Sequence, residues 1–165
     1  MKTRLSPMVI NMDQTKKQKR YQRIYAQLAE LLPESDDTLA RMSTLIAVLH
    51  HKMENFFWTG FYLLKNERLI VGPYQGPVAC QELEKGMGVC WTGIEREKAV
   101  IVPDVEQFPG HIACDSRSRS EIVVPLKNLN GKILGVLDID SKSLNSFDHT
   151  DEEQLSRVLR LIYEP

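Results

Sequence analysis

Three cysteines, Cys80, Cys90 and Cys114, are the residues of this sequence best suited to covalent chemistry. Their spacing matches neither the Cys-x-x-Cys pairs of structural zinc sites nor a thioredoxin-type redox motif. Cys90 lies in the apolar sequence Gly-Val-Cys-Trp, which is typical of a buried thiol. Cys114 lies in the polar sequence His-Ile-Ala-Cys-Asp-Ser-Arg-Ser-Arg, which favours a reactive one. A thiol redox centre is one interpretation of this set, and a zinc site completed by His111 is the alternative.

Cys114 belongs to a stretch, residues 106–120, that has neither a helical nor a strand period. A loop of that length inside a compact domain is usually functional or disordered, and the chemistry-bearing residues in it favour function. Basic side chains in or near it would favour the Cys114 thiolate electrostatically. They are His111, Arg117, Arg119 and, earlier in the chain, Arg96.

Three carboxyl groups, those of Glu121, Asp138 and Asp140, form a second candidate group. The dipeptide Asn130-Gly131 between two apolar stretches predicts a hairpin, which brings the start of one strand to the end of the next. Asp138 and Asp140 are two residues apart and therefore share one strand face. Crowded carboxyl groups repel one another, so at least one pKa should be raised. Such a group can recognise an ammonium or hold a proton for donation, and a solvated strand end is the alternative interpretation.

Aromatic residues are concentrated before and within the first predicted strand pair. Most are expected in the core: Phe56, Phe57, Phe61 and Tyr74. Trp58 and Tyr62 are four residues apart and lie on the same strand face, where they could wall a small-ligand pocket. Periodicity alone does not separate that role from core packing.

One domain is expected, because 165 residues can bury a sizeable core without disulfide or metal staples. Residues 1–17 are predicted to be a loose extension of a domain that spans 18–165. The 21 basic and 22 acidic residues give a net charge of −1, which favours neither a nucleic-acid nor a membrane partner. An odd number of cysteines without a secretion signal predicts a reducing compartment, the cytoplasm. The sequence does not decide between a monomer and a homodimer.

Apolar spacing predicts a helix that starts near Lys17 and stops at Pro33. A second helix fits Thr38–Met53, with Asp36 or Asp37 as its N-cap. The last helix follows Thr150, which can form a capping box with the residue three positions later, Glu153.

Between these helices, the pattern alternates with a period of two and predicts an antiparallel meander. The predicted strands are Phe57–Leu64, Leu69–Tyr74, Ala99–Val102, Glu121–Leu126 and Lys132–Asp138, with a further short stretch at Val78–Glu82. A short helix at Val89–Glu97 carries Cys90. Helices, a meander with one inserted helix and a final helix together predict an α+β fold.

Several of these segments resemble the free methionine-(R)-sulfoxide reductases, a family built on a single GAF domain. The matching pieces run in order through about residues 20–163 and are Trp58–Leu63, Gly72–Gly76, Val78–Cys80, Gly86–Cys90, Gly110–Asp115, Ser120–Leu126 and Gly135–Asp140. All three cysteines fall within the matching pieces. One departure lies beside them, since Trp91 stands where a small residue is expected.

The resemblance implies a six-stranded antiparallel sheet flanked by N- and C-terminal helices, with a pocket on the face opposite those helices. It implies that Cys114 attacks the sulfoxide sulfur, that Cys80 resolves the resulting sulfenic acid as a disulfide, and that Cys90 is auxiliary. It implies that three carboxyl groups grip the substrate's amino group and help to polarise the S–O bond, those of Glu121, Asp138 and Asp140. Trp58 and Tyr62 would wall the methyl side. Thioredoxin would be the reductant, with no organic cofactor and no metal.

Two other functions fit a chain of this kind less well. A GAF-type sensor that binds a small molecule without catalysis would give no reason for an ordered trio of cysteines. A structural zinc protein would need ligand spacings that this sequence lacks.

Overall fold

A computed structural model describes residues 12–164 of the chain. Four α-helices lie within this range: α1 (Met12–Leu31), α2 (Thr38–Lys52), α3 (Gly88–Arg96) and α4 (His149–Arg160). The strands of the same range are β1 (Trp58–Lys65), β2 (Arg68–Gln75), β3 (Glu82–Leu83), β4 (Val100–Val102), β5 (Ser120–Lys127) and β6 (Ile133–Ser141). Short 3₁₀ turns occur at Leu32–Glu34 and Val105–Gln107.

The strands form one six-stranded sheet in the order β3-β2-β1-β6-β5-β4. Every neighbouring pair is antiparallel, which confirms the predicted sheet. The hairpin between β5 and β6 turns at Asn128–Gly131, as the sequence indicated, and Gly131 has a positive φ of 78° there. The α+β fold expected from the element order is therefore confirmed.

The two faces of the sheet carry different layers because side chains alternate along each strand. On one face α1, α2 and α4 cover the larger core, to which the strands contribute Phe61, Ile122, Val124, Leu126, Leu137 and Ile139. On the other face α3 packs on Val123 and Val136, through Val89, Cys90 and Trp91. Trp91 is buried in this second core, where its indole N–H donates to the carbonyl oxygen of Leu83 at 3.4 Å.

The first helix begins at Met12 and not near Lys17 as predicted. Residues 12–17 of the predicted extension are therefore helical, and residues 1–11 lie outside the described part of the chain. Lys17 instead lies in the second turn of α1, where it contacts α4. The Lys17 ammonium lies 2.8 Å from a carboxylate oxygen of Asp148 and 2.6 Å from one of Asp151, both at the start of α4.

The predicted capping box at Thr150 and Glu153 is wrong. Asp148 is the N-cap of α4, and its carboxylate accepts hydrogen bonds from the backbone amides of Thr150 and Asp151. The Asp151 carboxylate accepts from the Asp148 amide in return. Aspartate serves at both capping positions, so the box lies two residues earlier than the Thr-x-x-Glu pattern suggested. At α2, Asp37 is the N-cap, one of the two residues predicted.

No helix among residues 12–164 combines the length and the apolarity needed to cross a membrane.

Replacing Asp151 by alanine should lower the free energy of unfolding by about 3 kcal/mol, because Asp151 is fully buried and its loss leaves buried donors unpaired. The Tyr21 hydroxyl donates to Asp151 at 2.6 Å, and Lys17 loses the buried member of its two partners. Urea unfolding followed by circular dichroism measures the change. The matched control is Glu153→Ala on the exposed side of α4, which should change stability by less than about 0.5 kcal/mol. Equal effects of the two substitutions would contradict the assigned capping box.

Candidate active site

The pocket lies on the α3 face of the sheet, opposite α1, α2 and α4. Strands β1, β5 and β6 form its floor, the first turn of α3 forms one side, and the segments around residues 78–80 and 111–118 form the mouth. Seven of the eight predicted site residues line it: Trp58, Tyr62, Cys90, Cys114, Glu121, Asp138 and Asp140. The eighth, Cys80, is bonded to Cys114.

A disulfide joins Cys80 to Cys114 across the mouth of the pocket, with 5.5 Å between the two Cα atoms. This is the pairing that the resemblance implied. Cys114 is exposed and Cys80 is half-buried. Cys90 is free, buried and hydrogen-bonded to the carboxyl group of Asp138. Burial, followed by the nearby carboxyl groups, raises the pKa of the Cys90 thiol, so this cysteine is protonated at neutral pH.

The zinc site considered from the sequence does not form in this state, because two of its four proposed ligands are bonded to each other. A different set could hold a cation among the described residues. One ligand atom from each of Cys90, Glu121 and Asp138 lies within 4.8 Å of the others.

The strand register explains how the three carboxyl groups meet. Glu121 of β5 pairs directly with Asp140 of β6, and Asp138 lies two residues further along the same face. Glu121 and Asp138 are each 6% exposed. Burial raises the pKa of all three carboxyl groups well above the ordinary values, and the neighbouring carboxyl groups raise it further. Predicted proximity and a raised pKa are thus both confirmed.

Asp138 and Glu121 form a coupled pair of carboxyl groups within this cluster. The carboxyl group of Asp138 hydrogen-bonds to Glu121, a contact that raises the pKa of Asp138 and opposes the rise at Glu121. The Oδ1 atom of Asp138 is buried and has no hydrogen-bond partner among the described residues. A buried oxygen of this kind is costly to leave unpaired, so it is an acceptor available to a ligand.

Of the four predicted basic side chains, His111 and Arg117 lie beside carboxyl groups, and the buried Nε atom of Arg119 has no hydrogen-bond partner among the described residues. His111 Nε2 lies 3.5 Å from a Glu121 carboxylate oxygen, and burial lowers the pKa of the imidazole, which is therefore neutral at pH 7. Arg117 pairs with Asp115 at 2.7 Å and holds the pKa of that carboxyl at about 2. Arg96 is exposed at the end of α3. His111 therefore contacts the carboxyl cluster, and Arg117 contacts Asp115, the residue next to Cys114.

Trp58 and Tyr62 wall the pocket and also hold the segment that carries Cys80. The Trp58 ring stacks on Tyr62 at 5.8 Å and on Tyr74 at 5.3 Å between centroids. The Trp58 indole N–H donates to the carbonyl oxygen of Pro77 at 3.1 Å, and the Tyr62 hydroxyl donates to that of Cys80 at 2.9 Å. These two bonds fix one side of the mouth to the floor.

Sequence reasoning missed two residues that shape the site. Ser118 is buried and hydrogen-bonds to Asp140, which opposes the rise in the pKa of that carboxyl. Gly60 lies under the Trp58 ring, where a Cβ would come within 2.5 Å of a ring carbon and collide with Tyr74. The Ser-Arg-Ser-Arg pattern gave no sign of which serine points inward, whereas glycine within an aromatic strand is a known signal of close packing.

Comparison with known proteins places this geometry in a family. The GAF domain profile matches residues 39–162. The chain is 43% identical over 121 residues to the free methionine-R-sulfoxide reductase of Escherichia coli strain K12, a match that covers 73% of each chain. The chain belongs to the GAF-domain family of free methionine-R-sulfoxide reductases.

Two further relatives agree with this family assignment. The chain is 48% identical over 147 residues to the GAF domain-containing protein A of Dictyostelium discoideum, covering 88% of this chain and 92% of that one. The crystal structure of the free methionine-R-sulfoxide reductase of Neisseria meningitidis in complex with its substrate superposes with a TM-score of 0.85 at 38% identity. That match covers 90% of this chain and 89% of the Neisseria chain.

The Asp138→Asn variant should be more stable than the parent, by an amount that grows with pH. A carboxyl group whose pKa is raised in the folded state binds protons better there than in the unfolded chain, so its contribution to stability is present at low pH and lost as the pH rises. The amide has no charge to bury and can still donate to Glu121. Thermal unfolding of the oxidised protein should show a midpoint at least about 3 °C higher at pH 8 and nearly unchanged at pH 4.5.

The control for this experiment is Asp115→Asn. The pKa of Asp115 is lowered to about 2 by Arg117, so the sign is opposite and no gain is expected at pH 8. An Asp138→Asn variant no more stable than the parent at pH 8 would show that burial of this carboxyl carries no cost.

Proposed function

We propose that the protein reduces free L-methionine-(R)-sulfoxide to L-methionine through a sulfenic acid on Cys114 and a Cys80–Cys114 disulfide. One observation carries the proposal. The disulfide closes the mouth of a pocket whose floor is a proton-holding carboxyl cluster, in a chain of the reductase family. The reactive cysteine and a proton donor thus line the same pocket.

The first step is attack of the Cys114 thiolate on the sulfoxide sulfur. The sulfoxide oxygen is a poor leaving group until it is protonated, so a neighbouring acid supplies what the thiolate lacks. We assign the acid role to Asp138, because its contact with Glu121 raises the pKa of Asp138 and opposes the rise at Glu121. Attack joins Cys114 Sγ to the substrate sulfur. The protonated oxygen then moves from that sulfur to Cys114 Sγ, so the S–O bond of the substrate and the new S–S bond both break, and methionine and the Cys114 sulfenic acid are left.

The remaining carboxyl charge recognises the substrate's ammonium group. The unpartnered Asp138 Oδ1 and the carboxyl groups of Glu121 and Asp140 offer acceptors on the floor of the pocket. A free amino acid brings an ammonium to them, whereas methionine within a chain has only a neutral amide nitrogen. Trp58 and Tyr62 provide an apolar wall for the methyl side.

The second step is attack of Cys80 on the sulfenic sulfur, which releases water and forms the disulfide. Capture must be fast, because a sulfenic acid left exposed is oxidised further. The Cα atoms of the two cysteines lie 5.5 Å apart, within the range that a disulfide requires. Cys90 takes an auxiliary role, in which its thiol hydrogen-bonds to the acid Asp138.

Thioredoxin then reduces the disulfide and returns the two thiols for another turnover. The cycle as proposed moves electrons only between thiols and the sulfoxide, so it needs no organic cofactor and no metal. A disulfide that must be reduced in every turnover requires a reducing compartment, and we therefore propose the cytoplasm as the location.

The cysteine roles can be separated by single-turnover assays on pre-reduced protein freed of reductant. Cys114→Ser should release no methionine, because the nucleophile is gone. Cys80→Ser should release one equivalent, accumulate a sulfenic acid that dimedone labels, and stall in a thioredoxin-coupled assay. Circular dichroism of the reduced variants checks that the fold is intact. A stoichiometric burst from Cys114→Ser would assign the nucleophile to another cysteine, and full coupled turnover by Cys80→Ser would exclude Cys80 as the resolving residue.

The carboxyl cluster is expected to set both the rate of sulfoxide reduction and the preference for the free amino acid. The variants Glu121→Gln, Asp138→Asn and Asp140→Asn are compared by kcat/KM on free and N-acetylated methionine sulfoxide. Loss of the proton donor should cost roughly 10²–10⁴-fold, the usual range for general acid catalysis. The parent should strongly prefer the free amino acid. The exposed carboxylate of Glu106 supplies the control Glu106→Gln, which should match the parent.

The proposal fails if all three cluster variants keep near-normal kcat/KM. Equal reduction of the free and N-acetylated substrates by the parent would leave the chemistry in place but remove the ammonium from recognition.

A further inference from the structure

The mouth of the pocket carries an apolar rim, formed by Val78 and Met87, that nothing in the described chain covers. Val78 is 84% exposed and Met87 is 41% exposed. Both border the pocket that the Cys80–Cys114 disulfide closes. Exposed apolar side chains grouped at a functional site mark an interaction surface more often than scattered ones do.

The two cysteines of the disulfide are not equally exposed to solvent. Cys114 is exposed, whereas Cys80 is half-buried and its backbone carbonyl is held by the Tyr62 hydroxyl at 2.9 Å. Thiol–disulfide exchange depends on access to the attacked sulfur. A thiol that arrives from solvent therefore meets Cys114 first.

The charges around the disulfide also favour attack on Cys114 by a thiolate that arrives from the solvent side. Behind it lie the three carboxyl groups of the pocket, which repel an incoming thiolate anion. On the outer side, the cationic groups of Arg117 and Lys142 both lie over the Phe57 ring, at 5.0 and 4.6 Å from its centre. Arg117 pairs with Asp115, the residue that follows Cys114, and Lys142 is close enough to contribute to the lowered pKa of Asp115. An anionic thiolate is thus attracted from the solvent side.

We propose that electrons enter the protein at Cys114 Sγ, from a dithiol protein of the thioredoxin class that docks on the Val78–Met87 rim. The inference rests on the proposed function, because it concerns the regeneration of the disulfide formed there. The partner's thiolate bonds to Cys114 while the Cys80–Cys114 bond breaks, and Cys80 leaves as a thiolate that takes up a proton. The partner's second thiol then attacks the mixed disulfide, which oxidises the partner and returns Cys114 reduced. Two electrons and two protons are transferred in all.

The attacked sulfur can be identified by trapping the mixed disulfide. The oxidised protein is mixed with a thioredoxin whose second active-site cysteine is replaced by serine, free thiols are alkylated, and the peptides are mapped by mass spectrometry. The expected adduct is on Cys114, with Cys80 alkylated. An adduct on Cys80, or an equal mixture of the two, would overturn entry at Cys114. This readout needs no sulfoxide and is therefore independent of the catalytic activity.

The rim is tested with Val78→Glu, which places a charge on the apolar docking surface. Its KM for thioredoxin, measured at saturating sulfoxide, should rise about five- to tenfold, whereas its KM for dithiothreitol, which has no protein surface to dock, should rise much less. The matched control is Leu129→Glu, which makes the same charge change at a side chain that is 66% exposed on the β5–β6 hairpin. The control should behave as the parent with both reductants.

Each other outcome of the kinetic test has its own meaning. A Val78→Glu variant that matches the parent with thioredoxin would overturn the rim as the docking surface. Equal slowing with thioredoxin and dithiothreitol would overturn it as well, since the substitution would then act on the disulfide itself. A parent protein that neither reductant supports in turnover would instead contradict the proposed function, while the trapping experiment would still decide which sulfur is attacked.

Discussion

The pocket conforms to one constraint, the crowding of three carboxyl groups, of which Glu121 and Asp138 are buried and Asp140 is half-buried. In a site of low polarity, like charges at adjacent strand positions cannot all be ionised, so the cluster must keep a proton. The surroundings fit that requirement. His111 is neutral and places a ring nitrogen near Glu121, and the hydroxyl of Ser118 serves Asp140, so neither brings a full charge into the pocket. A paired arginine in their place would ionise the cluster and abolish the stored proton.

Burying such a cluster costs free energy of folding. The apolar core on the opposite face of the sheet offsets that cost. There α1, α2 and α4 bury an apolar core in which Phe61, Leu126, Leu137 and Ile139 are fully inaccessible to solvent. Because side chains alternate along a strand, one set of residues packs in the core and the other set faces the pocket. In β6, Leu137 and Ile139 stabilise the domain, while Asp138 and Asp140 between and after them provide the chemistry. Functional sites commonly carry local strain of this kind.

Much of this arrangement could be predicted from the sequence, because it depends on periodicity and local turn chemistry. The strand pairing through Asn130-Gly131 fixed which carboxyl groups meet, and the alternation in β6 fixed their face. What could not be predicted depends on long-range partners. The contacts of Lys17 in α1 with α4 join residues that are 131 and 134 positions apart in sequence. The choice between Asp148 and Thr150 as N-cap is a competition between two good caps, which local propensity does not decide.

The partners of individual charged side chains could not be predicted from the sequence either. Arg117 and His111 were expected to serve the Cys114 thiolate, yet each lies beside a carboxylate that the linear pattern did not connect with it. The pairing of Cys80 with Cys114 followed from family resemblance, since three cysteines allow more than one pair and spacing alone does not choose among them.

The disulfide also turns part of the chain into a covalent ring. Cys80 and Cys114 are separated by 34 positions, and the ring they close contains β3, α3 and β4. Closing a loop of that size removes conformational entropy from the unfolded chain that corresponds to ~3–4 kcal/mol. The molecule therefore alternates in every catalytic cycle between a ring and an open chain, and the two differ in how readily α3 and β4 can separate from the sheet. By thermodynamic linkage the dependence is mutual. A fold that the ring stabilises is a fold that favours ring closure, so the same packing that holds α3 on Val123 and Val136 helps to set the reduction potential of the cysteine pair.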